Sequence, residues 1–163
     1  MTQPAKTTQR ILVDHVRIET NKPFVQVKTS LEALVPPLDV GFLTTLQRGA
    51  SAQARTELEA LADLSIFLTR DHGQLLQIAG QSRMALQYEI GNPLTAASMT
   101  RYDLAAALYA PLRVVLYEAE DGQTVFEYDL PSSLFGQFGD ERVTEVGRKL
   151  DSELESALFK AAS

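Results

Sequence analysis

Leu112-Arg113-Val114-Val115-Leu116-Tyr117-Glu118, then Ala119-Glu120-Asp121-Gly122, then Gln123-Thr124-Val125-Phe126-Glu127-Tyr128 is the stretch that decides the fold. Two runs rich in β-branched and aromatic residues flank Glu120-Asp121-Gly122, and Asp-Gly suits the positive φ angles of a tight hairpin turn. Two antiparallel strands are therefore expected here. Counting with period two puts Arg113, Val115 and Tyr117 on one face and Val114, Leu116 and Glu118 on the other.

The other elements follow from the same two periodicities. Upstream, His15-Val16-Arg17-Ile18-Glu19-Thr20 alternates like a half-buried strand. Pro23 suits the first turn of a helix carrying Phe24, Val27, Leu31, Leu34 and Val35, and Pro36-Pro37 ends it. Leu38 to Leu46 allows a short extended segment, and Ser51 can cap a second helix with Ala54, Leu58, Leu61 and Ala62 on its apolar stripe. Ser65 to Thr69, Gln74 to Ala79 and Ser82 to Ile90, punctuated by Asp71-His72-Gly73 and Gly80-Gln81, are read as a three-stranded meander. Gly91-Asn92-Pro93 stops that run and opens a small-residue helix through Ala96, Ala97 and Met99, with a helical turn from Asp103. Downstream, Asp140 can cap a long helix whose Val143, Val146, Leu150, Leu154 and Leu158 form one stripe.

Runs of strands segregated from helices, joined by hairpins, define an α+β fold. The expected architecture is two-layer: a mostly antiparallel curved sheet of about six strands packed against a long C-terminal helix. Residues 11–163 are expected to form one domain behind a disordered tail, Met1 to Arg10. The length of 163 residues suits that, since a domain of this size buries roughly 70% of its unfolded surface. With no cysteine, disulfides, thiolate metal sites and cysteine nucleophiles are excluded. No apolar run reaches the ~20 residues of a membrane span or resembles a signal peptide, so no membrane partner and a cytoplasmic location are expected. A formal net charge of −6 argues against a large phosphate-binding surface, and nucleic acid is not an expected partner.

Tyr88-Glu89-Ile90-Gly91-Asn92-Pro93-Leu94, Ala110-Pro111-Leu112-Arg113-Val114-Val115-Leu116-Tyr117-Glu118, Asp121-Gly122 and Tyr128-Asp129-Leu130-Pro131-Ser132-Ser133 together resemble the family called domain of unknown function 302. The resemblance runs from about His15 into the C-terminal helix. Its order and spacing carry it, with Asn92-Pro93 and Pro111-Leu112-Arg113 as the most specific parts. It implies a fold of the TATA-box-binding-protein-like class, a curved antiparallel sheet under a long helix. It implies no reaction, and the fold name does not license DNA binding.

Candidate chemistry is sparse. Asp71-His72-Gly73 places a carboxylate and an imidazole at an expected hairpin tip, where His72 could act as a general base or proton sensor. The plain reading is a turn with a solvated histidine. Only two histidines exist, too few on their own for the roughly three ligands of a metal site, so no metal is assigned. Asn92 reads as a helix cap. Arg113, inside an apolar strand, is either a solvated arginine or a cation for an anionic ligand. Tyr128 and Asp129, with Glu118, lie on or beside the same hairpin and could complete a polar cluster with it. Ser132-Ser133 lacks a nucleophile elbow and Gly136-Gln137-Phe138-Gly139 lacks a phosphate-loop lysine.

Two functional readings remain, with a third beside them. The first is a non-enzymatic binding module, alone or as a homodimer, that holds a small apolar or amphipathic ligand between the concave sheet and its helices, with Asp71, His72, Arg113, Tyr128 and Asp129 as candidate contacts. The second is an enzyme using His72 with Asp71 for acid-base or metal-assisted chemistry. The third is a homodimeric structural or interaction protein. No cofactor is indicated.

Overall fold

The computed structural model describes residues 3–163. Met1 and Thr2, the first two residues of the expected tail, lie outside the described residues; Gln3 to Arg10 are exposed and take no regular structure. Five strands form one antiparallel sheet: β1 (His15–Thr20), β2 (Ser65–Asp71), β3 (Ala85–Gly91), β4 (Leu112–Glu118) and β5 (Thr124–Asp129), in the spatial order β1-β5-β4-β3-β2. The helices are α1 (Phe24–Leu34), α2 (Gly41–Gln47), α3 (Ser51–Glu59), α4 (His72–Leu76), α5 (Pro93–Thr100), α6 (Pro131–Phe135) and α7 (Glu141–Ala162).

The β4–β5 hairpin forms as its sequence dictates, with one difference. Only Gly122 takes positive φ, 82°, so the Glu120-Asp121-Gly122 loop turns on its glycine alone. The Gly122 amide bonds the Ala119 carbonyl and the Ala119 amide bonds the Gln123 carbonyl. Those bonds describe a three-residue connection closed by a left-handed glycine.

The sheet has five strands rather than about six, because Gln74 to Ala79 is not a strand. The Asp71 carboxylate accepts the Gln74 amide at 2.8 Å, capping α4, and a 3-10 turn continues over Gln77–Ala79. An apolar Leu75-Leu76-Ile78 run has no period of its own, and the local cap decides it. Gly73 allows the turn to nest against β3, because a Cβ there would collide with the Arg83 carbonyl oxygen. Within Leu38 to Leu46 the extended part is short: the Leu38 amide bonds the Ile66 carbonyl at 2.9 Å beside a bridge between Pro37 and Ile66, and α2 begins at Gly41. Ala50 rather than Ser51 occupies the cap position of α3, and no side chain caps it.

The helices cover one face of the sheet. Alternate strand residues Ile18, Tyr88, Ile90, Val114, Leu116 and Phe126 meet Val27 and Leu31 of α1 and Leu150, Leu154 and Leu158 of α7 in one continuous core. The 22-residue α7 spans ~33 Å at 1.5 Å per residue. Asp140 caps it through the Arg142 amide at 2.9 Å. Each fully buried leucine on its stripe stabilises the fold by roughly 1.5–3 kcal/mol relative to exposure. Thr20 Oγ1 donates to the Ala162 carbonyl at 2.9 Å, tying the end of α7 to the end of β1. Gly147 allows α7 to lie close to α6, where the Ser132 amide donates to Asp151 at 2.8 Å.

Candidate functional site

The sheet face away from the helices carries cross-strand rows of charge. His15 pairs with Asp129, and Glu89 pairs with Arg113. Val114 pairs with Tyr128, so Arg113 and Asp129, one step outward, are neighbours that line the same small depression with Tyr109, Leu112 and Leu134. One row therefore reads His15, Asp129, Arg113, Glu89, alternating cation and carboxylate, an arrangement that favours strand pairing.

His15 is held at both ring nitrogens. Nδ1 lies 2.9 Å from Asp129 Oδ1 and Nε2 lies 3.0 Å from Glu127 Oε2. Ionised carboxylates only accept, so the imidazolium is the form satisfied on both sides. The hydrogen bond to Asp129, seconded by Glu127, raises its pKa above 6.5. Tyr117 donates its phenol to Glu127 Oε1 at 2.6 Å, the main reason the Glu127 carboxyl is lowered and the Tyr117 phenol raised. Arg17 Nη1 stands 3.4 Å from the same carboxylate. The two carboxylates sit at opposite ring nitrogens and do not converge. Among the described residues no group of three or more His, Asp or Glu side chains is placed to hold a metal ion.

Arg113 differs from the other two arginines on this face. Arg17 is paired with Glu19 at 2.6 Å and Arg70 with Glu89 at 2.6 Å. Asp129 turns to His15 and Glu89 to Arg70, so both carboxylates beside Arg113 are engaged elsewhere. Its exposed guanidinium has no ion-pair or hydrogen-bond partner among the described residues.

At the same end of the sheet lies an apolar cavity of about 60 Å³. Its walls come from Phe67 on β2, Ile90 and Gly91 on β3, Thr95, Ala96 and Met99 on α5, the Ala110-Pro111-Leu112 entry to β4, Phe135 on α6 and Leu150 on α7. Asn92 fixes α5 over it, its side-chain oxygen accepting from the Leu94 and Thr95 amides at 2.8 and 3.1 Å. The Ala110–Pro111 peptide is cis. Tyr109 packs edge-on against Phe135, ring centroids 6.4 Å apart. Leu112 lines both this cavity and the depression that holds Arg113. Larger hollows with more polar walls lie between α1 and α7 beside Ala62 and Asp63, about 490 Å³, and between α1, α4 and β3, about 220 Å³; the space under α5 is smaller and the most apolar of the three.

The five residues singled out from sequence do not form one cluster. Arg113 and Asp129 come together on the open face. Tyr128 points the other way into the core, where burial first, then the Glu155 and Asp151 carboxylates, push its phenol to about 12. Asp71 and His72 lie at the start of α4 on the edge strand β2, not at a hairpin tip. Asp71 is used as a cap, and exposed His72 has no side-chain partner among the described residues. His15, Glu127 and Tyr117 were missed as a group. Period-two counting on β1, β4 and β5 places all three on the open face, but the pairing of β1 with β5 that brings His15 to Glu127 is not written in any local pattern.

Fold and face define a two-layer α+β protein with a five-stranded antiparallel sheet, one face packed and one face charged. The sequence profile of the family described as "Domain of unknown function DUF302" matches residues 48–161, more than half of the chain, and the chain belongs to that family. A similar solved structure is that of an uncharacterized conserved DUF302 protein from Bacillus stearothermophilus. It is 17% identical, with a TM-score of 0.66 over 90% of this chain and 97% of that one. The likeness extends to the fold. β1 and α1 precede the matched segment, yet they supply the edge strand and the buried Val27 and Leu31. No curated protein matches the chain. Among the described residues no helix is long and apolar enough to cross a membrane.

Proposed function

We propose that this protein is a small-molecule-binding module whose site is the end of the sheet under α5. The observation that carries this reading is an apolar space of about 60 Å³ left open in a core otherwise closed by Tyr88, Phe126, Phe135 and Leu154. Native cores leave few voids larger than a water molecule, and an unfilled apolar space forfeits dispersion contacts that a ligand restores. Polar Asn92 and Thr95 belong to the same lining, as is usual for ligand sites. The competing acid-base reading has no comparable support, because Asp71 and His72 gain no convergent third group.

The test is ligand-observed NMR against pooled small metabolites, on the wild type and on Ala96→Leu, whose larger side chain fills the cavity. Saturation transfer seen with the wild type and lost in the variant supports the reading. Transfer that is equal in both proteins, or absent from the wild type, overturns it.

A self-association role is a second reading, favoured by α2. None of its residues is buried, and Val40, Leu43 and Leu46 are exposed along it. Sedimentation of the wild type and of Leu43→Lys checks it. A dimer dispersed by the substitution supports self-association, and a wild-type monomer at high concentration removes it.

A further inference from the structure

We infer that the free edge of β1 is a homodimer interface, on which the β1 of a second copy pairs antiparallel about a two-fold axis at Ile18 and extends the sheet across both chains. This surface is distinct from the cavity under α5 and from α2, and it rests on neither. β1 and β2 are the two edges of the sheet, and they are not alike. β2 is blunted. Its register slips between Ile66 and Leu68, and the chain at Pro36 to Leu38 covers Ile66, whose amide donates to the Pro36 carbonyl at 2.8 Å and whose carbonyl accepts the Leu38 amide at 2.9 Å. β1 has neither device. It runs from His15 to Thr20 in unbroken register with β5, contains no proline, and turns only Val16, Ile18 and Thr20 towards the helices. Bulges, covering segments, prolines and inward charges are the means by which edges are kept from pairing.

The ladder fixes which backbone groups are free. The Leu130 amide donates to the Asp14 carbonyl and continues the β1–β5 register, so even-numbered residues of β1 aim their amides and carbonyls at β5. His15, Arg17 and Glu19 aim theirs outward, and among the described residues nothing answers those groups. Such a row is a template for an added strand. The side chains select a second copy. Paired about Ile18, Arg17 lies opposite the partner's Glu19 and Glu19 opposite the partner's Arg17 on the open face, while Ile18 meets the partner's Ile18 on the helix side. An axis at Arg17 or Glu19 sets that residue against its own copy, and an axis at Val16 sets His15 against the partner's Arg17; like charges directly opposite destabilise a ladder. Arg17 and Glu19, which pair along the strand at 2.6 Å, exchange that contact for the one across the axis. The strand ends agree. Leu12, 94% exposed, precedes β1, and Val25, 62% exposed, follows it in the first turn of α1. Antiparallel pairing sets the start of one β1 beside the end of the other, which brings these apolar side chains to the same two places in the dimer. The arrangement is a closed two-fold one, the commonest form of oligomer.

The test is sedimentation velocity of the full chain over a range of concentrations, for the wild type, Arg17→Glu, Glu19→Arg and the double exchange Arg17→Glu with Glu19→Arg. Thermal melting shows which variants are folded, and hydrogen–deuterium exchange follows the β1 amides at the same concentrations. The wild type should dimerise, and the Arg17 and Glu19 amides should gain protection as it does. Each single change sets like charges opposite at both symmetry-related pairs and should weaken the dimer by roughly tenfold, and the double exchange should recover most of that loss. Should Arg17→Glu, placed beside Glu127, fail to fold, Glu19→Arg and the wild-type exchange data decide. A wild type that stays monomeric at millimolar concentration, single variants that dimerise as the wild type does, or a double exchange weaker than both single changes overturns the proposal. So does a dimer that Leu43→Lys disperses while the β1 amides stay unprotected, which moves self-association to α2, and so does growth beyond a dimer, which means that unlike edges pair head to tail.

Discussion

Replacing Gly147 with alanine tests whether the contact between α6 and α7 is set by backbone packing. Alanine in a helix interior is favoured over glycine by roughly 0.5–1 kcal/mol, so propensity alone predicts a more stable protein. Packing predicts the opposite. A Cβ at Gly147 would stand 2.9 Å from Ser132 Cα, 3.3 Å from the Ser132 nitrogen and 3.3 Å from Phe135 Cβ. Two of those atoms are backbone, so no rotamer change relieves the contact and α6 must move. Overpacking of this kind costs ~1–3 kcal/mol, and movement of Ser132 also weakens its 2.8 Å bond to Asp151. The net expectation is a loss of about 1–3 kcal/mol, which at ~2–4 °C per kcal/mol lowers the melting temperature of a chain this size by ~2–12 °C. Gly136→Ala is the control. A Cβ there meets only Thr144 Cγ2 at 3.8 Å, and Gly136 has an ordinary φ of −62°. It should be neutral or stabilising by up to ~1 kcal/mol through the unfolded chain. Urea denaturation of both variants is the assay. Gly147→Ala as stable as the wild type, or Gly136→Ala as damaging as Gly147→Ala, would refute the reasoning.

Three further outcomes are expected. His15→Gln should remove a pH-dependent part of the stability. The folded pKa is raised, so the contribution is complete below the unfolded value near 6.5 and disappears as pH rises through the folded one. With a side chain 55% exposed the effect is only ~0.5 kcal/mol, and the urea midpoints of wild type and variant should differ at pH 6 and converge at pH 9. A difference that grows with pH contradicts the imidazolium clamp. Tyr88→Phe removes the 3.1 Å bond from the buried phenol to Glu32, which keeps its 2.7 Å pairing with Lys28. The loss should be about 1 kcal/mol in urea denaturation. Burial, with Glu32 nearby, pushes the Tyr88 phenol well above the ordinary tyrosine range, so ultraviolet titration should find it un-ionised until the protein unfolds. Gly73→Ala should cost about 3 kcal/mol or more by thermal melting, since its Cβ would meet the Arg83 carbonyl oxygen and lie 3.1 Å from the Ala85 nitrogen. Wild-type stability there would disprove the nesting of α4 on β3.

Local patterns in the sequence determined most of the elements. The alternation in His15 to Thr20 and Leu112 to Tyr128, the caps at Asn92 and Asp140 and the stripe of α7 each depend on neighbours within a few residues, and each stands as read. Gln74 to Ala79 is helical rather than a strand because a short apolar run carries no decisive period and the Asp71 cap outweighs the turn signals of Gly73 and Gly80. The face of Arg113 was legible from period two, as was its separation from Glu118. Its lack of a partner was not, for that depends on Asp129 turning to His15 and Glu89 turning to Arg70, choices made between strands distant in sequence. The cavity is likewise a tertiary fact. Phe67, Gly91, Met99, Pro111, Phe135 and Leu150 come from six elements or their junctions, and the volume they leave is set by how the helices seat on the sheet end, which no local pattern encodes.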